Sequence, residues 1–197
     1  MPEYKGCLVY RMTTLTTIRN PKTRQFVDPE KLLKAVPLEP NMRVVDMGCG
    51  NGHFAVTAGS MIGSKGQVEA LDILDEALSQ TATLARLRGI QNVSTRICNL
   101  ELFGSCPLAE QDFDLVIMAG ILHQLENPSN AVREAYRLLK TGGRLLVVEW
   151  TPESPLGPVA SERQDKETIR RLLETHSFRP ERELPAGSFH YALLYAK

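Results

Sequence analysis

The sequence predicts an α/β fold: a doubly wound, seven-stranded, mostly parallel sheet with an antiparallel last strand. Short apolar segments alternate with longer segments of helical periodicity, which is typical of parallel strands joined by helices. A glycine-rich turn at residues 48–52 separates the first predicted strand from the next helix. The chain has 197 residues, which is enough for one domain with a sizeable core.

The composition is that of an ordinary globular protein and favours no charged partner. Lysine and arginine number 23, as do aspartate and glutamate, so no global field attracts nucleic acid or a membrane surface. The first residues lack a signal-peptide core, and the longest apolar run, residues 115–122, is too short to span a bilayer. We therefore expect a cytoplasmic protein with a small-molecule partner and no nucleic acid; its oligomeric state is not readable from the sequence.

The cysteines show neither the C-x-x-C spacing of a zinc site nor a disulfide framework. They stand at four scattered positions: Cys7, Cys49, Cys98 and Cys106. Free thiols in a reducing compartment are the simplest expectation, and no metal site is predicted.

The first part of the chain divides at residue 28. Residues 1–27 carry threonines and basic residues with little periodicity, and they are predicted to form an arm that covers the pocket. Residues 28–197 are predicted to form a single domain. It begins with a helix that has Asp28 as its N-cap and Pro29 at the first helical position.

The domain then alternates strands and helices as far as residue 176. The predicted elements are a strand ending at Asp46, a helix starting at His53, strand 67–71, helix 75–88, strand 93–98, strand 113–119, helix 127–139, strand 144–150 and helix 165–176. Gly142 and Gly143 are predicted to end the helix before the fifth strand. Strands 178–184 and 189–196 have hairpin-like spacing, which indicates that at least one of them is antiparallel.

Polar residues and glycines follow several predicted strands at one edge of the sheet. In an open α/β sheet, ligands bind outside the carboxyl ends of the strands, where the strand order reverses. Asp72 comes twenty residues after Gly52, at the end of the second predicted strand. A carboxylate there can accept two hydrogen bonds from a ribose diol. The arrangement indicates a pocket for a nucleotide-type cofactor.

Two cofactor classes compete for the glycine turn. A dinucleotide site requires the pattern G-x-G-x-x-G, but His53 stands at the position of the third glycine. Asp46, two residues before Gly48, would also repel a pyrophosphate. A cofactor with an amino-acid end carries an ammonium group, which suits Asp46 better. The pattern therefore favours a cofactor with an amino-acid end over a dinucleotide.

The pattern D-x-G-x-G-x-G at residues 46–52, with Asp72 and the strand FDLVIMAG at 113–120, resembles the class I S-adenosylmethionine-dependent methyltransferases. The segments NPKTRQFVDPEKLL (20–33) and MAGILHQLENP (118–128) resemble the small-molecule branch that includes quinone-biosynthesis methyltransferases. The resemblance implies a Rossmann-like methyltransferase fold with S-adenosylmethionine as cofactor and S-adenosylhomocysteine as product. It also implies methyl transfer to a small-molecule oxygen, carbon or nitrogen acceptor.

The resemblance further implies which residues hold the methionine end of the cofactor. Its carboxylate and amine would be held by one acidic residue and the glycine turn, namely Asp46, Gly48, Cys49, Gly50 and Gly52. Ala119 would offer a backbone carbonyl near the same end, and Gly120 would leave room for it. A thiol near a helix N-terminus can have a lowered pKa, so Cys49 is either reactive or a small side chain that fills the turn.

At the adenosine end, Asp72 would bind the ribose hydroxyls and Ile73 would pack on the adenine. Asn99 stands where the family often has an aspartate, and its amide oxygen would accept a bond from the adenine amino group. Leu100 would cover the adenine edge.

His123 follows the fourth predicted strand, where the family often places a residue that faces the substrate. It is a candidate general base, with a packed or capping histidine as the alternative. Glu149 and Trp150 could border the acceptor pocket. Two other functions stay open: a non-catalytic module that binds S-adenosylmethionine, and an RNA or protein methyltransferase. The second is disfavoured, because MAGIL stands where an asparagine-proline-proline-tyrosine type motif would be.

Overall fold

The computed structural model describes residues 26–197. Its strands are β1 (Arg43–Met47), β2 (Gln67–Asp72), β3 (Val93–Ile97), β4 (Phe113–Ala119), β5 (Leu139–Trp150), β6 (Arg179–Leu184) and β7 (His190–Ala196). Its helices are α1 (Pro29–Ala35), α2 (His53–Ile62), α3 (Asp75–Leu87), α4 (Pro128–Leu138) and α5 (Lys166–Thr175). Short 3-10 turns lie at Leu122–Gln124 and Ala160–Glu162.

The seven strands form one sheet in the order β3-β2-β1-β4-β5-β7-β6. Strands β1 to β5 pair in parallel, and β7 runs antiparallel to both of its neighbours, β5 and β6. The chain moves outward in one direction from β1 to β3 and then returns to place β4 on the other side of β1. This reversal is the switch point at which open α/β sheets bind ligands. The predicted fold is confirmed.

The core consists of two apolar layers, one on each face of the sheet. Alternate residues of the central strands face opposite layers, so Val45 and Met47 pack toward α4 and α5, whereas Val44 packs toward α1 and α2. Residues 115–118 of β4 are buried throughout, because helices cover both faces of this strand. That burial explains the continuous apolar run in the sequence.

Two predicted helix starts are capped by aspartate side chains, of which the cap at Asp28 was predicted. The carboxylate of Asp28 accepts hydrogen bonds from the backbone N–H groups of Glu30 and Lys31 at 3.0 and 3.2 Å. The carboxylate of Asp165 accepts one from Thr168 N at 2.8 Å. Both side chains thereby bind backbone donors that have no partner inside the helix.

The predicted boundary between the fourth helix and the fifth strand is wrong. Helix α4 ends at Leu138 and β5 begins directly at Leu139, so Gly142 and Gly143 lie inside the strand. Leu139 pairs with Phe113 before an irregularity in the register, and Lys197 N donates to Gly143 O at 2.9 Å. The glycines therefore lie in an irregular part of β5, between the residues that pair with β4, where Gly142 has a φ of 79° and Gly143 bonds to the residue that follows β7.

The expectation of free thiols is also wrong for one pair. Cys98 and Cys106, eight residues apart, form a disulfide just after β3, whereas Cys49 is free and buried. Cys7 lies outside the described residues, as does the predicted arm except for Phe26 and Val27. Within residues 26–197, every helix is too short or too polar to cross a membrane.

Candidate active site

The glycine turn after β1 lies at the switch point and is fixed by β2. The N–H groups of Gly48 and Cys49 both donate to Leu71 O, at 2.8 and 2.9 Å. Gly48 and Gly52 have φ angles of 76° and 78°, which side chains rarely tolerate. A Cβ on Gly52 would also lie 2.5 Å from Thr81 Oγ1. Only glycine fits this position.

Thr81 holds the turn from the side of α3. Its hydroxyl donates to Gly50 O at 3.0 Å and lies 3.5 Å from Cys49 Sγ. Burial raises the pKa of the Cys49 thiol to about 12, which opposes a reactive thiolate. The alternative interpretation of Cys49, a small side chain filling the turn, agrees with this geometry. The sequence interpretation missed Thr81, although it shares a helix face with Ala77, Leu78 and Ala85.

Asp46, the last but one residue of β1, carries a buried carboxyl group beside the turn and is 1% exposed. Burial raises its pKa to about 7, and the nearby charge of Asp72 acts in the same direction, whereas the backbone N–H of Ala55 opposes the rise. Its Oδ2 atom has no hydrogen-bond partner among the described residues. A buried carboxylate with one unpaired oxygen suits a cationic group of a ligand.

Asp72 at the end of β2 is brought to the same turn, as predicted from the sequence. Its Oδ2 accepts from Gly50 N and its Oδ1 accepts from Leu74 N, each at 3.0 Å. Each oxygen keeps a free lone pair that can accept a further hydrogen bond. Ile73, the next residue, is 47% exposed and offers an apolar surface beside these oxygens.

Asn99 and Leu100 lie in the loop that the Cys98–Cys106 disulfide closes. The side-chain oxygen of Asn99 accepts from Glu101 N at 3.0 Å, and its backbone oxygen accepts from Ser105 Oγ at 2.6 Å. Leu100 is buried. The Glu101 carboxylate accepts from the N–H groups of residues 126 and 127 at 2.7 and 3.0 Å, which ties this loop to the segment after β4.

The segment after β4 crosses from the turn to β5. Ala119 pairs with Val148 of β5, and Gly120 N donates to Val148 O at 2.8 Å. Ile121 covers Gly48 closely, since a Cβ there would lie 2.6 Å from Ile121 Cγ1. The 3-10 turn that contains His123 therefore starts directly above the glycine turn.

His123 is paired with a carboxylate. Its Nδ1 lies 2.7 Å from Oε2 of Glu149, and the two side chains are 8% and 1% exposed. The second oxygen of Glu149 accepts from Leu122 N at 2.8 Å. This partnership of His123, which joins residues 26 positions apart, was not predicted.

Aromatic residues form a rim at the ends of β5 and β7. The rings of Trp150 and His190 lie 4.1 Å apart, and Phe26 packs 5.1 Å from Phe189. A Cβ on Gly157 would lie 2.6 Å from the Trp150 ring, so the backbone of the loop after β5 packs directly against the indole.

A single side chain organises that loop. The guanidinium of Arg163 donates to the backbone oxygens of Pro152, Ser154, Leu156 and Pro158. No sequence signal marked this arginine, because its partners are carbonyls of a loop without periodicity.

A concavity lies at the opposite edge of the sheet from the glycine turn. It has a volume of about 810 Å³ and is lined by Arg43, Gly63, Gln67, Asn92 and other residues near the amino ends of β1 to β3. It contains none of the predicted site residues. Within residues 26–197, histidine, cysteine and acidic side chains form no cluster suited to a metal ion.

Comparison with known proteins agrees with this geometry. Residues 38–184 match the family model described as a methyltransferase domain. The ubiquinone/menaquinone biosynthesis C-methyltransferase UbiE of Shewanella oneidensis is 31% identical over 141 residues, which are 71% of this chain and 51% of that protein. The chain thus spans about half the length of this relative.

Two solved structures resemble the fold. A SAM-dependent methyltransferase from Aquifex aeolicus superposes with a TM-score of 0.80 at 26% identity, over 89% of this chain and 93% of the other. The geranyl diphosphate C-methyltransferase of Streptomyces coelicolor, solved with S-adenosyl-L-homocysteine, gives a TM-score of 0.68 at 18% identity, over 85% and 78% of the two chains. The second likeness concerns the fold alone. By its family model, its relatives and its fold, the chain belongs to the methyltransferase domain family, whose S-adenosylmethionine-dependent members the sequence resembles.

Proposed function

We propose that this protein transfers a methyl group from S-adenosylmethionine to a small-molecule acceptor. The observation that carries the proposal is the meeting of Asp46, the glycine turn and Asp72 at the switch point of a methyltransferase sheet. The family membership supports the same conclusion.

The residues present fit the cofactor. Asp46 has a buried, unpaired oxygen that can accept from an ammonium group, and the turn around Gly50 leaves open space for the methionine end. Asp72 can accept from ribose hydroxyls, with Ile73, Asn99 and Leu100 around the adenine. When bound, S-adenosylmethionine supplies a methyl group that is already activated on a sulfonium. The work of the protein is then to position the acceptor and to exclude water.

The acceptor side is built from the turn after β4, the aromatic rim and the loop after β5. We place His123, Ala119 and Gly120 at the boundary between cofactor and acceptor. The relatives named as C-methyltransferases support a small-molecule acceptor. The proposal includes a single domain at residues 28–197 and no nucleic-acid partner.

Calorimetry with S-adenosylhomocysteine tests the cofactor site. We expect saturable binding, and Asp72→Ala should weaken it about tenfold or more, because one or two bonds to a charged acceptor are lost. Asp75→Ala, which removes an exposed acid three residues further on, is the matched control and should bind like the unaltered protein.

The outcomes separate the alternatives. No heat from a folded protein would refute the cofactor assignment, and equal affinity of Asp72→Ala would refute the ribose role. Binding without release of S-adenosylhomocysteine from S-adenosylmethionine, across a broad panel of acceptors, would favour the non-catalytic module.

A further inference from the structure

The carboxylate of Glu149 binds two different parts of the turn after β4. One oxygen accepts from the backbone N–H of Leu122 at 2.8 Å, and the other lies 2.7 Å from His123 Nδ1. Glu149 is 1% exposed, and no other hydrogen bond to it is seen among the described residues. A buried carboxylate normally needs partners for both oxygens, and here the second partner is the imidazole ring.

The position of the turn does not depend on the imidazole. Gly120 N donates to Val148 O at 2.8 Å, and the side chain of Gln124 donates to Gly120 O at 2.6 Å. The side chain of Gln164 reaches Leu122 O at 3.4 Å. With Leu122 N already bound to Glu149, the backbone is fixed at several points. The contact with His123 therefore orients the ring rather than the chain.

We propose that Glu149 is a positioning residue that fixes His123 as the general base for an acceptor with an acidic hydroxyl group, such as a phenol or an enol. The proposal rests on the proposed methyl transfer and narrows its substrate class.

The tautomer of His123 follows from its partner. A carboxylate only accepts hydrogen bonds, so Nδ1 of the neutral ring carries the proton and Nε2 keeps a lone pair. Among residues 26–197, Nε2 of His123 makes no hydrogen bond. It is also not among the fully buried side-chain atoms without a partner, so it is accessible. Nε2 is thus an open acceptor on a turn that starts above the glycine turn.

The proton transfer defines the acceptor class. Nε2 takes the proton of the acceptor hydroxyl, and the electron pair of the broken O–H bond stays on the oxygen. This oxygen bonds to the methyl carbon as the carbon–sulfur bond breaks, and sulfur keeps that electron pair. The imidazolium then returns its proton to solvent. An acceptor without a removable proton, such as a pyridine nitrogen or a thioether, needs no base at this position.

The tautomer can be measured without knowledge of the natural acceptor. The protein has four histidines, and single substitutions by glutamine assign their signals in long-range proton–nitrogen correlation spectra of ¹⁵N-histidine protein with S-adenosylhomocysteine. We expect His123 to carry its proton on Nδ1. In Glu149→Gln, the amide oxygen is needed by Leu122 N–H, so the amide NH₂ faces Nδ1 and should move the proton to Nε2. A proton on Nε2 in the unaltered protein at about pH 8, or the same tautomer in both proteins, would overturn the proposal.

The kinetic test uses two sets of probe acceptors with S-adenosylmethionine. Catechol and 4-methylphenol carry hydroxyls that are still protonated at about pH 8, whereas the ring nitrogen of nicotinamide and the sulfur of dimethyl sulfide carry no proton. We expect release of S-adenosylhomocysteine with the first set. His123→Gln and Glu149→Gln should lower kcat about a hundredfold or more, with KM and S-adenosylhomocysteine affinity within about threefold.

His176→Gln is the matched control, since this histidine lies at the end of α5, bonds to Ser129 in the first turn of α4, and should leave kcat unchanged. Should the proteins bind S-adenosylhomocysteine yet methylate only the second set, or neither set, the acceptor class is wrong. A loss confined to KM, or to thermal stability, would show that Glu149 is merely structural. Absence of S-adenosylhomocysteine binding would instead refute the cofactor site.

Discussion

Asp46 carries a carboxyl group where a negative charge is unfavourable unless a cation lies beside it. Its pKa of about 7 in the ligand-free fold exceeds the ordinary 3.8, because burial penalises the charged form. The folded protein therefore holds this proton more tightly than the unfolded chain does. Stability from this group is present below about pH 4 and is lost as the pH rises toward 7. This loss of stability is consistent with the proposed role of Asp46 as the partner of a cationic ligand group.

We expect Asp46→Asn to stabilise the ligand-free protein and to weaken cofactor binding. The amide has the size of the carboxyl group but no charge, so the free energy of unfolding at about pH 8 should rise by a few kcal/mol, measured with urea. Calorimetry should show S-adenosylhomocysteine affinity reduced about tenfold or more, because the partner of the ammonium group is neutral.

The pH dependence of S-adenosylhomocysteine affinity tests the charge of Asp46. Affinity of the unaltered protein should increase as the pH passes upward through about 7, while Asp46→Asn should show no such step there. Asp112→Asn, at the opposite edge beside Arg43, is the control and should keep both affinity and step. A less stable Asp46→Asn protein at pH 8 would contradict the assigned cost of the buried charge.

The residues that we propose hold the cofactor were chosen from local spacing. Asp46 and Asp72 lie at the carboxyl ends of β1 and β2, the glycines follow β1, and these residue types suit one ligand. The sequence did not reveal the hydrogen bonds made by Thr81, Glu149 and Arg163. Their partners lie far away in the chain or belong to backbone without regular structure. Their roles appear only when α3, β5 and the loop after β5 are in place.

The loop after β3 is fixed by a disulfide and by hydrogen bonds. The disulfide joins Cys98 to Cys106, Ser105 bonds to Asn99, and Glu101 ties the loop to the segment before α4. A cross-link over so short a loop removes about 2–3 kcal/mol of chain entropy from the opened state. Asn99 and Leu100 are thereby presented in one arrangement.

We expect reduction of this disulfide to weaken S-adenosylhomocysteine binding about three- to tenfold, since the loop must then be ordered by the ligand. Calorimetry with and without dithiothreitol measures the effect. The double variant Cys98→Ser/Cys106→Ser should have the affinity of the reduced protein, and dithiothreitol should not change that affinity. Equal affinities of the oxidised and reduced protein would show that the loop is held by its hydrogen bonds alone.

The errors at the element scale have a common cause. Gly142 and Gly143 were read as a helix stop, but their backbone groups lie within β5 and reach the end of β7. Cys98 and Cys106 were read as unpaired, but the loop folds back to bring them together. Both depend on pairings that the local pattern does not contain, whereas the cap at Asp28 and the helix start at Asp165 are local and were predicted.

At the scale of the whole molecule, the proposed cofactor site joins β1, β2, the loop after β3 and the segment after β4. Ligand binding should therefore stabilise the entire sheet. At a concentration of S-adenosylhomocysteine 100 times its Kd, the gain is about 2.7 kcal/mol, which raises Tm by roughly 5–10 °C for a chain of this size. Differential scanning calorimetry measures the shift.

Asp72→Ala provides the comparison for this thermal shift. With affinity about tenfold lower, the same ligand concentration should give about half the gain in free energy. An undiminished shift in this variant would mean that the ligand stabilises the protein from another location.

The placement of β7 between β5 and β6 has a consequence for synthesis on the ribosome. Among residues 26–197, β6 pairs with β7 alone and β7 covers the outer edge of β5, yet β7 follows both strands in the chain. A nascent chain that has emerged as far as residue 184 therefore exposes the unpaired backbone of β5 and carries a β6 without a neighbour. Open strand edges invite pairing with other chains. Folding of this sheet must await its final strand, and chaperones that shield strand edges would act in that interval.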